Sequence, residues 1–113
     1  MDEKYFQLQF IQFVLGLQQG AWMSLGKIQN PLTGKIEKNL NHVMAIIDTL
    51  LMIKEKTKGN LSKEELHLLD NTLSQLQINY VEEVKKRETD MKEDQTKLSS
   101  EDNKLEENSK GNQ

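Results

Sequence analysis

The sequence predicts an all-α fold: a three-helix domain built from one helix, a Pro/Gly turn region or short hairpin, and an antiparallel helical hairpin, followed by a polar C-terminal tail. Three observations predict it. Apolar residues recur at spacings of three and four in three separate segments, the period of a helix with one buried face. A single proline, Pro31, interrupts the chain. The junction near residue 60 carries a full set of helix stop and start signals. The predicted organisation is a helical domain over residues 1–84 and a charged tail over 85–113.

The first helix is predicted from about Glu3 to Leu25, and its central stretch, YFQLQFIQFVLGLQQGAWMSLG at residues 5–26, contains no charged side chain. On a helical wheel Phe6, Phe10, Phe13, Val14, Leu17, Ala21 and Leu25 form the core-facing stripe. A second apolar stripe, Leu8, Ile11, Leu15 and Trp22, lies on another side. Gln9, Gln12, Gly16, Gln19 and Gly20 fill the narrow remaining sector. A hairpin of two helices covers one side of such a helix and cannot enclose it, so a further surface is needed.

The next segment, KIQNPLTGKIEK at residues 27–38, stops the helix. Asn30 precedes a proline and is driven to extended backbone, and Gly34 permits a turn. The KIQ and KIE flanks suggest Ile28 paired with Ile36 across a short hairpin. Asn39 is the expected N-cap of the second helix, whose apolar face reads Leu40, Val43, Met44, Ile47, Leu50 and Leu51. Lys54, Lys56 and Lys58 complement the negative end of that helix, and Gly59 supplies a left-handed residue. Ser62 and Glu65 then form an S-x-x-E capping box, with Leu61 able to staple onto Leu66. The third stripe is Leu66, Leu69, Leu73, Leu76 and Tyr80, extended by Val84. Beyond Lys85 the large apolar residues thin to Met91, Leu98 and Leu105, which predicts a disordered or weakly helical tail. Their seven-residue spacing from Val84 matches one seam position of a coiled coil, with the second position of each heptad polar.

Composition narrows the function. The chain has 113 residues and 35% hydrophobic content, enough for one small domain with a marginal core. It has no cysteine, which excludes disulfides, thiolate metal sites and a cysteine nucleophile. The formal charge of −3, without a long basic block, argues against nucleic acid as a partner. Residues 1–4 carry two acids and one base instead of a positive leader, so a cytoplasmic location is the expectation.

No group of residues supports a reaction. His42 and His67 belong to no metal or nucleophile pattern and are expected as ordinary surface or partly buried side chains. Asp48 in IIDTLL falls off the main stripe, which predicts a solvent-facing or lysine-paired acid. Gly26-Lys27 and Gly34-Lys35 lack the following Ser or Thr and the earlier glycine of a phosphate loop. The expectation is a non-enzymatic protein without cofactor or metal.

The order FVLGLQQGAWMSLGKIQNPLTGK, NLNHVMAIIDTLLMIKEKTKGNLSKEE and LLDNTLSQLQINYVE resembles the bacterial family known as domain of unknown function 1844, over about Phe6 to Glu82. The resemblance rests on Leu25-Gly26, Asn30-Pro31, Thr33-Gly34, Ile47-Asp48 with Leu50, and Lys56-Thr57-Lys58-Gly59-Asn60-Leu61. It implies an all-helical cytoplasmic domain, and it supplies no activity, cofactor or catalytic residue.

The functional expectation is therefore a homo-oligomer, or a module that docks on another protein, with an interface at Leu8, Ile11, Gln12, Leu15, Gly16, Gln19, Gly20 and Trp22. The alternative is a peripheral protein that lays the same helix on lipid. Five glutamines oppose a transmembrane span, and no Lys or Arg lies between Lys4 and Lys27 to favour an anionic surface.

Overall fold

The computed structural model describes the backbone of residues 2–111 and the side chains of residues 2–92. Three helices follow in order: α1 (Glu3–Ser24), α2 (Leu40–Lys56) and α3 (Lys63–Gly111). The chain divides into two compact units, Met1–Glu83 and Val84–Gln113. The first contains α1, α2 and α3 as far as Glu83; the second contains the remainder of α3.

Each helix of the first unit begins with a side-chain cap. Asp2 accepts from Tyr5 N at 2.9 Å, and Asn39 accepts from His42 N at 3.1 Å. At α3 the capping box closes in both directions: Ser62 N donates to Glu65 Oε1 at 2.8 Å, and Glu65 N donates to Ser62 Oγ at 3.2 Å. Such caps satisfy backbone donors that have no intrahelical acceptor, and losing one costs about 1 kcal/mol.

The helix ends are equally defined. After α1, Gly26 takes φ +80° while Gly26 N bonds Met23 O and Lys27 N bonds Trp22 O, both at 3.0 Å. That pair of bonds is the Schellman arrangement, and it needs a left-handed residue where Gly26 stands. After α2, Thr57 is the cap, its hydroxyl donating to Ile53 O at 2.6 Å. Gly59, expected as the cap, instead takes φ +85° as the third residue of the turn Thr57–Asn60, closed by Asn60 N to Thr57 O at 2.9 Å.

Between α1 and α2 the chain leaves and returns at one point. Leu25 pairs with Lys38 in an isolated antiparallel bridge, and Asn39 N bonds Ser24 O at 2.8 Å. Inside this loop Asn30 N bonds Lys35 O, Gly34 N bonds Asn30 O, and the Asn30 side chain accepts from Leu32 N. A short hairpin-like excursion results, yet Ile28 and Ile36 are both exposed. Backbone and polar side chains organise the loop without help from those isoleucines.

The helices of the first unit run up, down and up. Lys54 Nζ, near the end of α2, lies 2.7 Å from Asp70 Oδ1, two turns into α3, so the ion pair joins the two helices across the short turn that reverses the chain. Gly20 on α1 faces Ile46 on α2; a Cβ there would stand 3.7 Å from Ile46 Cδ1. At the other end Phe6 and Gln7 line a groove with Gly59, Asn60 and Glu65, so α1 also opposes α2 in direction.

The core comprises Val14, Ala21 and Leu25, with Val43, Ile46, Ile47, Leu50 and Ile53 of α2 and Leu69, Leu73 and Leu76 of α3. Phe10, Leu17, Trp22, Leu40, Leu61, Leu68 and Tyr80 pack around it. Leu50 is fully buried, and cutting such a side chain to Ala costs about 2–5 kcal/mol. Two expectations are corrected here. On α2, Ile46 and Ile53 are buried while Met44 and Leu51 are exposed, because the helix is rotated to meet α1 as well as α3. On α3, Leu66 is exposed in the first turn of the helix, beside the α2–α3 turn, where it lines a surface groove with Leu51 and Leu61.

In the second unit the helix continues through the segment for which composition suggests disorder or weak helicity. No Gly or Pro occurs between Asn60 and Lys110, and Lys, Glu and Gln are good helix formers. Met91 is exposed, and the side chains of Leu98 and Leu105 lie outside the described residues.

Candidate docking surface

The face of α1 turned away from the bundle is the most unusual surface of the first unit. Val14 and Ala21 are fully buried, with Phe10 and Leu17 packed beside them, which fixes the core-facing side of the helix. Leu8 and Leu15 consequently project from the bundle, 51% and 44% exposed, and Gln12, Gly16 and Gln19 lie exposed between and beside them. Ile11 is half-buried at the edge. A side chain at Gly16 would meet nothing within 4 Å.

Not all of the expected surface faces outward. Gly20 is turned toward Ile46, and Trp22 is half-buried against the core, so both contribute to packing within the unit. Conversely Phe6 and Phe13, expected in the core stripe, are 53% and 55% exposed. They sit at the margin of the arc centred on Val14 and Ala21, so the packing that buries those two residues leaves the rings outside. Tyr5 is exposed beside Phe6, with ring centroids 6.2 Å apart. Large apolar groups thus remain accessible on both flanks of a helix without charge from Tyr5 to Gly26.

A second polar feature, unforeseen in the sequence, lies at the far end of the unit. Glu83 is only 3% exposed, and Lys27 Nζ donates to its Oε1 at 3.1 Å. Lys38 Nζ stands 2.9 Å from Oε2, a charge contact without hydrogen-bond alignment. The two lysines border the loop at its beginning and its end. Glu83 extends the α3 sequence Leu69, Leu73, Leu76, Tyr80 by one further step of three, so a carboxylate on the buried stripe was the available signal.

The remaining candidates for chemistry are dispersed. Asp48 and His67 are exposed, and His42 borders a shallow groove with Asn30, Glu37 and Asn39 that Asp48 does not line. Among the described residues no three His, Asp or Glu side chains gather to hold a metal, and no helix is long and apolar enough to cross a membrane.

An up-down-up bundle whose first helix carries no charge from Tyr5 onward defines the class: a small all-α domain with capped helices and an ordered loop after the first. The chain belongs to the family described as Domain of unknown function (DUF1844), whose model matches residues 7–82. The match includes α1 from Gln7, the loop, α2 and α3 to Glu82. Comparison with curated proteins and with solved structures gave no match.

Proposed function

We propose that the domain is a non-enzymatic docking module that associates with a protein surface through the outer face of α1, a second copy of the chain being the first partner to consider. The observation that carries this reading is the exposure of Leu8 and Leu15 on a helix without a charge from Tyr5 to Gly26. Water contact with apolar side chains costs about 25 cal/mol per Å² relative to burial, and a partner removes that cost. The intervening Gln12 and Gln19 supply amides that donate and accept, as at the polar positions of helix–helix seams.

Lipid is a less suitable partner for this face. The stretch from Tyr5 to Gly26 offers no Lys or Arg to anionic headgroups, whereas its amides are readily satisfied by a protein.

The test is sedimentation equilibrium of the full chain and of the Leu8→Glu/Leu15→Glu variant, in detergent-free buffer. Association in the parent and its loss in the variant, with helical circular dichroism retained, supports the reading. Unchanged association removes this face from the contact. A monomeric parent that cosediments with phosphatidylcholine vesicles favours the lipid alternative.

A further inference from the structure

Resting on that reading, the geometry points to one partner and one arrangement: we propose that two copies of this chain pair along α1 as parallel, in-register helices. The outer face follows a heptad. Tyr5, Gln12 and Gln19 repeat at intervals of seven, as do Leu8 and Leu15, and the two series interleave at spacings of three and four. These are the a and d positions of a two-stranded seam. All five side chains are exposed, although nothing in the folding of a single unit requires such a pattern on its solvent side.

Charge identifies the partner. Of the positions that border the seam, Gln9, Ile11, Gly16 and Gln18 are uncharged, and Lys4 in the first turn carries the one charge. A partner rich in Lys or Glu would lose hydration there without gaining an opposite charge. Beyond Lys4 a second α1 brings no charge to the seam, and each of its amides is both donor and acceptor, so the surface is complementary to itself. Gly16 leaves its side of the seam open to close approach. The helix is already held by the bundle, so pairing need not meet the ordering cost of a free helical peptide.

The direction follows from the placement of the glutamines. In a parallel in-register pair, Gln12 meets its own counterpart, as does Gln19, while Leu8 and Leu15 meet leucines. In an antiparallel pair, the layers would set Gln12 against Leu15 and Gln19 against Leu8. Amides would then be buried against leucines without partners, which is costly in a dehydrated seam. Like meets like only in the parallel arrangement. The seam ends where Trp22, the next d position, turns partly into its own core.

The absence of cysteine from the native chain makes a direct test available. Full-length Leu15→Cys and Gln12→Cys variants would be oxidised with glutathione separately and as a mixture of a tagged and an untagged form, alongside an exposed α2 control, Asp48→Cys. Sedimentation of each reduced sample would establish its mass. The expected result is a disulfide-linked dimer for each α1 variant alone, few mixed disulfides between positions 12 and 15, and little linkage for the control. Predominant mixed disulfides in dimeric protein would overturn the parallel register while leaving self-association intact. A native chain monomeric at every concentration would overturn self-association itself. Dimers whose α1 cysteines link no better than the control would remove α1 from the contact and overturn both.

Discussion

Glu83 on α3 is clamped by Lys27 and Lys38 at 3.1 and 2.9 Å, so one buried carboxylate fastens both ends of the 27–38 loop to the bundle. The lysines keep part of their hydration, with side chains 35% and 57% exposed, whereas the carboxylate is 3% exposed. Glu83→Gln keeps the shape and removes the charge. It is expected to destabilise the fold by about 1–3 kcal/mol, the range for a charged hydrogen bond lost in a partly hydrated setting. Urea unfolding measures the loss, and amide exchange should be fastest to increase in residues 27–38. Exchange raised uniformly throughout the bundle would contradict a clamp on the loop.

Two glycines of the same domain respond in opposite directions. Gly26 has φ +80°, and a Cβ there would stand 2.8 Å from Lys38 Cγ. Gly26→Ala therefore combines backbone strain with displacement of a clamping lysine, and a loss of about 1–2 kcal/mol is expected. Gly16 is helical with open space beside it. Gly16→Ala should stabilise the helix by about 0.5–1 kcal/mol through the entropy of the unfolded chain. Thermal unfolding at low protein concentration, where association contributes least, checks both signs.

Much of this fold was legible because its signals are local. Asn39 and the Ser62/Glu65 pair need only their own backbone to act as caps, and the structure gives them that role. Gly59 was readable as a left-handed residue and not as a turn position, because the exit is set by Thr57 bonding Ile53 O. The rotation of α2 was hidden for another reason. Leu51 and Ile53 are similar in hydrophobicity, and only contact with both neighbouring helices decides which is covered. Phe6 and Phe13 carry the same ambiguity, since an almost uncharged helix has no charge to mark its outer edge. Glu83 was unreadable as a partner of Lys27 because that pairing spans the whole unit.

The two apolar flanks of α1 separate the docking hypothesis from a general excess of exposed hydrophobic surface. Leu15 lies in the proposed seam, and Phe13, two residues earlier, lies on the other flank of the helix. Leu15→Gln is expected to weaken self-association by about tenfold or more, equivalent to about 1.4 kcal/mol. Phe13→Gln should change it less than about threefold, as expected for a residue outside a contact's energetic centre. Sedimentation of both variants gives the comparison, and a larger effect at Phe13 would move the contact to that flank.

Thr72 raises a different question about the core. It is 1% exposed, and its hydroxyl has no hydrogen-bond partner among the described residues. A hydroxyl taken from water without a partner costs about 1–3 kcal/mol. Thr72→Val replaces it with a methyl of nearly the same shape, so packing is retained while the penalty disappears. The slightly altered rotamer preference of Val in a helix offsets little of that gain. The expected outcome is a rise in stability of about 1 kcal/mol, read as a higher urea midpoint with an unchanged slope. A fall instead would mean that the hydroxyl is satisfied in solution, and amide exchange around Leu68 and Leu69 would then show where that bond is made.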